Sequence, residues 1–386
     1  MAPQPADGTC GSVRMTFYDF DTTRGWCEFD RTLPVLPAFV RSGLTTAIAE
    51  PWDGGSYGGA PGEACGECWE VATLGVVRTV MVHDLCPIEG NPICAGDHFH
   101  FDLWKAAATA LQMSGLEEGQ ARRVPCPVSG NIFLEILDRN EWGYLRFAVV
   151  NHRIPVRAVE YRSAADAVWH AAHRSGGAWD VPNDGGMFAS GQAGGVFRFT
   201  SAQGQVVEGT AVLSYGVAKG QTFDSGVQLT DQAPATGGAC VFEPPAVVYG
   251  DGYGGITDVS WKLGAWDGAS VKEVTGDGCF GGQGSCLEAS LPQWNGFDIY
   301  YGQQFPTSTF ARLSLRLRSP GGGTVRVAAS LDGATCQNTE VAVGPDWAQT
   351  TIDLASTCAS LAGITAVTVQ AETKLELLVD DVRFEK

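Results

Sequence analysis

Long apolar runs are missing from this chain. No stretch approaches the ~18 consecutive apolar residues of a membrane-spanning helix, so a soluble protein is expected. Positive charge is scarce as well: 25 Lys and Arg stand against 43 Asp and Glu, for a net charge of −18. Phosphate backbones and anionic bilayers repel such a chain, which argues against nucleic acid and membrane as partners. No cationic stretch followed by an apolar one opens the sequence, since Met1 runs directly into Ala2-Pro3-Gln4-Pro5. Met1 therefore reads as an added start on a mature secreted chain.

Three things are abundant. Apolar residues reach 44% of the 386 positions, ample for real cores, and the length suggests two or three domains. Glycine, at 50 residues, weakens helices and favours turns, which argues against a helical bundle, a coiled coil and a disordered chain. Twelve cysteines point to an oxidising compartment. Seven of them (Cys10, Cys27, Cys65, Cys68, Cys86, Cys94, Cys126) precede residue 129, and five (Cys240, Cys279, Cys286, Cys336, Cys358) follow residue 239. Both counts are odd, which points to one bridge between the parts, with Cys10–Cys240 the expected pair. Cys86–Cys94, Cys279–Cys286 and Cys336–Cys358 are the expected local pairs, although spacing alone fixes no connectivity.

Along the chain, residues 1–9 read as a tail. Residues 10–128 carry short β-branched strand signals such as Val76–Val82. One helix is expected from Leu103 to Met113, on the run Lys105-Ala-Ala-Ala-Thr-Ala-Leu111, with Asp102 as its N-cap. Residues 129–232 lack cysteine and read as all-β. Tyr144–Val150, Pro155–Tyr161 and Val196–Thr200 are strands, with a hairpin turn at 200–204. A linker is expected at 233–239, and residues 240–386 form a third all-β region.

The chemistry concentrates in Val82-His-Asp84-Leu-Cys-Pro87 and Gly96-Asp-His-Phe-His-Phe-Asp102-Leu-Trp104. Upstream lie Met15-Thr16-Phe-Tyr18-Asp19, Tyr57-Gly-Gly59 and Ala64-Cys-Gly-Glu-Cys-Trp-Glu70. In this order the motifs resemble domain 1 of the expansins, a double-psi β-barrel akin to family-45 endoglucanases. Asn151-His152-Arg-x-Pro155-Val with Val159-Glu-Tyr161 is similar to the Ig-like β-sandwich that forms the second expansin domain. The resemblance implies that Asp102 is the acid needed for wall loosening, with Thr16 and Asp84 its polar neighbours and Tyr18 nearby. It further implies a protein without the catalytic base that the endoglucanases carry, and so without hydrolysis. Asp19 and Asp21 depart from that pattern. They follow the Thr-x-Tyr strand, near where the endoglucanases place their base.

The residues themselves agree in part. Inverting hydrolysis of a glycosidic bond needs an acid of raised pKa and a second carboxylate ~6.5–9.5 Å away. Asp102, among Phe101, Leu103 and Trp104, is a sensible protonated acid, because partial desolvation disfavours its charge. The plain alternatives are a helix N-cap for Asp102 and a structural hydrogen-bonding carboxylate for Asp84. His98, His100 and Asp102 alternate and would share one strand face, a set able to hold a metal, although the motif needs none.

In Trp142–Val150, period two puts Leu145, Phe147 and Val149 on the core face and Trp142, Tyr144 and Arg146 on the other. Exposed aromatics mark a binding platform, since a pyranose presents C–H groups that stack on a flat ring. By resemblance Trp179 is the third platform aromatic. Residues 240–386 resemble the β jelly rolls of carbohydrate-binding modules, through Val248-Tyr-Gly-Asp-Gly-Tyr253, Asp258-Val-Ser-Trp261 and Leu378–Phe384. Trp261, Trp294, Tyr300 and Tyr301 are candidate stacking residues there, and Asp380 and Asp381 are candidate ligands of a structural Ca²⁺.

The expected protein is mainly β and carries a barrel (10–128), a sandwich (129–232) and a jelly roll (240–386). It is expected to be secreted and monomeric, to need no cofactor, and to bind cellulose or related neutral glucans and loosen them without hydrolysis. Two other readings stand beside it: an endoglucanase with Asp102 as acid and Asp19 or Asp21 as base, and a purely binding lectin-like protein.

Overall fold

Short β-branched runs separated by glycine turns become strands throughout. The structure is a computed structural model that describes every residue except 1–3, 6, 21–22, 55–59, 74–75, 97, 114, 165–166, 184–185, 231–237, 243–246, 251–260, 267 and 283. The expected linker thus lies almost wholly outside the described residues, as do Asp21, Tyr57–Gly59, Tyr253 and Asp258. The chain divides into two units, residues 1–241 and 242–386.

The first unit opens with six strands: β1 (Gly11–Tyr18), β2 (Thr45–Ala49), β3 (Cys68–Thr73), β4 (Val76–Cys86), β5 (His100–Trp104) and β6 (Glu117–Val124). They close into a barrel in the order β1-β5-β2-β4-β3-β6, with β1–β5 and β2–β4 parallel and the other pairs antiparallel. Period two on β5 drives Phe101 and Leu103 inward, where Phe101 and Phe99 pack on the buried Trp69. The expected helix starts later, spanning Lys105–Ala110 after a Trp104 that caps nothing with its side chain. Asp102 and Leu103 are held in β5 by pairing with β1 on one side and β2 on the other, so ladder hydrogen bonds override local helix propensity.

Nine strands follow: β7 (Phe133–Arg139), β8 (Leu145–Val150), β9 (Val156–Ser163), β10 (His170–Ala171), β11 (His173–Ser175), β12 (Ala178–Val181), β13 (Gly195–Ser201), β14 (Val206–Glu208) and β15 (Thr222–Asp224). They form two sheets, β10-β9-β13-β14 and β11-β12-β8-β7-β15. The core between them is built by Phe147, Phe197, Phe199 and Phe188. The outer face of β8 is shared: Ala148 and Val150 belong to the barrel's core, so the sandwich sits directly on the barrel.

Glycines allow that closeness. A Cβ on Gly62 would lie 1.9 Å from the carbonyl oxygen of Gly176, and one on Gly177 would lie 2.3 Å from Cα of Cys27. Buried Glu135 on β7 accepts the Asp30 N–H (2.9 Å) and pairs with Arg24, fastening the β1–β2 connection to the sandwich.

All twelve cysteines are paired: Cys10–Cys240, Cys27–Cys65, Cys68–Cys126, Cys86–Cys94, Cys279–Cys286 and Cys336–Cys358. The four expected pairs are among them. Cys240, expected at the head of the third region, belongs to the first unit. Beyond its bridge to Cys10, its N–H is accepted by Glu70 on β3 at 2.8 Å.

The second unit is a sandwich of two six-stranded sheets. Its core corrects two candidate stacking residues. Trp261 and Tyr301 are buried, 5.1 Å apart ring to ring, with Phe305 and Phe384 packed on Trp261. The candidate calcium ligands are also otherwise engaged. Asp381 is ion-paired with Arg316 and Arg383, and buried Asp380 accepts the N–H groups of Phe280 (3.2 Å) and Asp381 (2.7 Å). Asp381 thus has two guanidinium partners and each Asp380 oxygen one backbone N–H donor, so both carboxylates have partners within the chain.

Replacing Cys68 and Cys126 together by Ala is expected to cost about 2–5 kcal/mol, because their bridge ties β3 to the segment that leaves the barrel. Guanidinium unfolding of the oxidised proteins measures this as a lower midpoint.

Candidate functional site

Register builds the site. Thr16 pairs with Asp102 across β1–β5, Asp102 with Ala47 across β5–β2, and Ala47 with Asp84 across β2–β4. The last pairing depends on a bulge: Val82 and Asp84 oppose the consecutive residues Thr46 and Ala47, leaving His83 as the extra residue. His83 is buried, with Nε2 3.2 Å from the carbonyls of Thr23 and Phe29, and burial pushes its pKa down. Without that inserted residue, Ala47 would face His83 and Asp84 would leave the row. Two strand spacings separate the Asp102 and Asp84 backbones, about 10 Å, with buried Ala47 between them in register. The row carries a carboxylate on either side of that alanine.

Asp102 is half-buried, and burial raises its pKa, with the charge of Asp84 acting in the same direction. Thr16 opposes the shift by donating its hydroxyl to Asp102 Oδ1 at 2.7 Å. The Thr16 oxygen also lies 3.0 Å from His100 Nε2. A hydroxyl that gives its proton to Asp102 can only accept from that nitrogen, so His100 carries its proton on Nε2. The Arg14 Nε–H, 3.5 Å from His100 Nδ1, favours the same tautomer. Tyr18 pairs with Trp104 in register and lies against its ring. Burial, with Asp84 and Asp102 nearby, raises its pKa and keeps it a neutral phenol.

The two candidate bases fare differently from that row. Asp19 is exposed and ion-paired with Lys105, a surface contact worth about 0–1 kcal/mol. Asp21 lies outside the described residues. Asp84 Oδ1 accepts the N–H groups of Trp26 (2.7 Å) and Leu85 (2.9 Å). His100 is engaged with Thr16 and Arg14, and among the described residues no cluster of three His, Cys, Asp or Glu is arranged to hold a metal.

On the sandwich, Trp142 is 68% exposed at the tip of the β7–β8 turn. Asn140 Oδ1 accepts the N–H groups of Trp142 and Tyr144, both at 3.0 Å, and Gly143 takes φ +105°, which holds the indole out. Behind it, Tyr144 Oη donates to Asp180 at 2.9 Å. Arg146 bridges Asp180 (2.8 Å) and Glu28, which comes from the barrel's β1–β2 connection. The outer face of β8 thus runs from the barrel contact through Arg146 and Tyr144 to Trp142. Trp179 is a correction: it pairs with Phe147 on the core face, is buried, and has the Arg174 guanidinium stacked 4.1 Å from its ring. In the second unit Trp294 and Tyr300 are 49% and 42% exposed, and Arg326 stacks 5.1 Å from Trp294.

Sequence reasoning missed Trp26. It lies in the β1–β2 connection, hydrogen-bonded to Asp84 and, through its indole N–H, to buried Asp53 at 3.1 Å. No periodicity marks a single tryptophan in a loop; its one local signal is the bridged Cys27 beside it.

The first unit is thus a closed six-stranded barrel whose strand register sets Thr16, Asp102 and Asp84 in one row, packed on a two-sheet sandwich with an exposed tryptophan at one turn. No protein-family profile matches the chain. It is 27% identical over 185 residues to expansin-like protein 2 of Dictyostelium discoideum, covering 46% of this chain and 42% of that one. It is 31% identical over 134 residues to expansin-B11 of Oryza sativa subsp. japonica, covering 28% and 45%. The chain spans under half the length of these curated relatives. Among solved structures, it is similar to the apo expansin of Clavibacter michiganensis (19% identity, TM-score 0.44, 57% of this chain and 98% of that one). It is also similar to a family 11 carbohydrate-binding module of Clostridium thermocellum (14%, TM-score 0.26, 32% and 88%). The chain is similar to expansins over part of its length.

Thr16→Val removes the donor that holds Asp102 down, so the Asp102 pKa is expected to rise further. Asp84→Asn removes the neighbouring charge, so the Asp102 pKa is expected to fall. Carboxyl ¹³C NMR titration reads both, and a shift of either in the opposite direction contradicts the assignment.

Proposed function

We propose that this chain is an extracellular protein that binds neutral β-glucans such as cellulose and loosens their packing without cutting them. Asp102 is its working acid, supported by Thr16, Asp84 and Tyr18, and Trp142 with Tyr144 forms the shelf on which the glucan rests. The observation that carries this reading is the row Thr16–Asp102–Ala47–Asp84, in which half-buried Asp102 accepts the Thr16 hydroxyl, while the exposed Asp19 is ion-paired with Lys105. Six disulfides suit an oxidising compartment, and no described helix is long and apolar enough to cross a membrane. A net charge of −18 favours neutral glucans over acidic pectins. The relatives named expansin support the same reading.

Loosening without hydrolysis needs only differential binding. The Asp102 carboxyl and a neutral phenol compete for the hydroxyls through which glucan chains hold one another, and the exposed ring holds the released chain. The second unit adds a further hold through Trp294 and Tyr300.

One observation favours a second reading. Asp84 shares a row with Asp102, with a single alanine between them, so an inverting hydrolase with Asp102 as acid and Asp84 as base is geometrically open.

Asp102→Asn is expected to abolish the weakening of filter paper under load while leaving cellulose binding unchanged. Loosening that survives this change sinks the site assignment. Wild-type protein is expected to release no reducing sugar from amorphous cellulose, whereas steady release, lost in Asp84→Asn, establishes the hydrolase. Trp142→Ala, in a chain that also carries Trp294→Ala and Tyr300→Ala, is expected to weaken cellulose pull-down by about 2 kcal/mol relative to that chain.

A further inference from the structure

His83 is skipped by the β2–β4 pairing, yet its side chain is buried and engaged. The imidazole reaches into the β1–β2 connection. There the backbones of Arg24 and Asp30 form an antiparallel bridge, which closes the stretch between them into a loop. His83 Nε2 lies 3.2 Å from the carbonyls of Thr23 and Phe29, beside the two sides of that neck, and the ring stands edge-on to the Phe29 ring at 5.0 Å. Both carbonyls can only accept, so Nε2 carries the proton and shares it between them. Burial pushes the ring's pKa down and keeps it neutral.

The tip of the same loop lies on the next residue of β4. Trp26 N–H donates to Asp84 Oδ1 (2.7 Å), and Cys27 N–H donates to the His83 carbonyl (3.2 Å). A Cβ on Gly25 would lie 2.5 Å from the Asp84 carboxyl carbon. Cys27 is bridged to Cys65, which pins the tip a second time. The neck of the loop therefore hangs on the side chain of His83, and its tip bears on the carboxylate of Asp84.

A histidine needed only to fill space could give way to any flat ring. A donor set between two carbonyls could not, because each carbonyl would lose that N–H. Bulges give up a ladder position to re-aim the residue beside them. Here the side chain of the extra residue supplies a hold that the ladder does not.

We propose that His83 is the positioning residue of Asp84: its one imidazole N–H, held between the Thr23 and Phe29 carbonyls, fastens the β1–β2 connection onto the bulge and so keeps the Asp84 carboxylate in the row with Asp102. This rests on the reading of Asp84 as a polar neighbour of Asp102 and adds what holds it there.

The test is carboxyl ¹³C titration of Asp102 in the full chain, because the charge of Asp84 raises the Asp102 pKa. His83→Phe keeps a ring and removes the donor. It is expected to lower the Asp102 pKa by most of the shift that Asp84→Asn produces, and His83→Gln, which restores an N–H donor, is expected to recover most of that loss. In a chain already carrying Asp84→Asn, His83→Phe is expected to leave the Asp102 pKa where it is. A fall that persists in that background overturns the proposal, since Asp84 would not be carrying it. An Asp102 pKa unchanged by His83→Phe alone overturns it as well. Should His83→Phe fail to fold, the histidine ¹⁵N spectrum of the wild-type chain decides: the Nε2–H tautomer of His83 supports the proposal, and a proton on Nδ1 overturns it. None of these readouts uses a glucan, so a wild-type chain that fails to weaken filter paper sinks the functional reading and leaves the role of His83 standing.

Discussion

The trough depends on the registration of three strands around one alanine. Parallel β2–β4 and antiparallel β2–β5 pairing bring Asp84 and Asp102 to the two sides of Ala47, and the bulge at His83 puts Asp84 into phase. Ala47 is itself buried, so a larger side chain there would have to displace what packs over it. Backbone hydrogen bonds set this spacing, so it is rigid on the scale that matters for ligand recognition. The pKa directions follow from the same geometry. Burial and a nearby like charge push Asp102 up, while one threonine hydroxyl, oriented by a neutral histidine, pulls it back.

The junction between barrel and sandwich is the second constraint. Gly62, Gly66, Gly176 and Gly177 all lie where a Cβ would strike the other domain or its connections. His152 sits buried over Gly66, and burial holds its pKa down to about 4, so its ring is neutral and packs as an uncharged plate. With Glu135 and Glu28 each paired across the same boundary, the two domains behave as one body. A fixed boundary lets a trough on one domain and an aromatic edge on the other act as a single surface.

Much of this was legible in the sequence. Alternation along Trp142–Val150 correctly separated the core residues Leu145 and Phe147 from the outward Tyr144 and Arg146, since strand period two is local and needs no partner. Four cysteine pairs were readable, three from short separation and one from the odd counts on either side of the cysteine-free region. The misses share a cause. Trp179, Trp261 and Tyr301 are aromatic, as exposed Trp142 and Tyr300 are, but which face they take is decided by the sheet opposite. Asp102 resembled a helix cap because Ala-rich sequence follows it, and only pairing with β1 and β2 makes it a strand residue. Asp381 looked like a calcium ligand until the fold brought Arg316 and Arg383 beside it.

By itself, the sequence determined the class of structure. Low helix propensity from abundant glycine, short alternating apolar runs and twelve cysteines leave disulfide-bonded β domains as the way to bury 44% apolar residues. It also singled out Thr16, Asp84 and Asp102, which the strand register then brings into one row. Tertiary structure alone decided which carboxylates face one another and which aromatics stay in water. Those are questions of register and of contacts between strands distant in sequence, and no local pattern encodes the energy of a partner it does not contain.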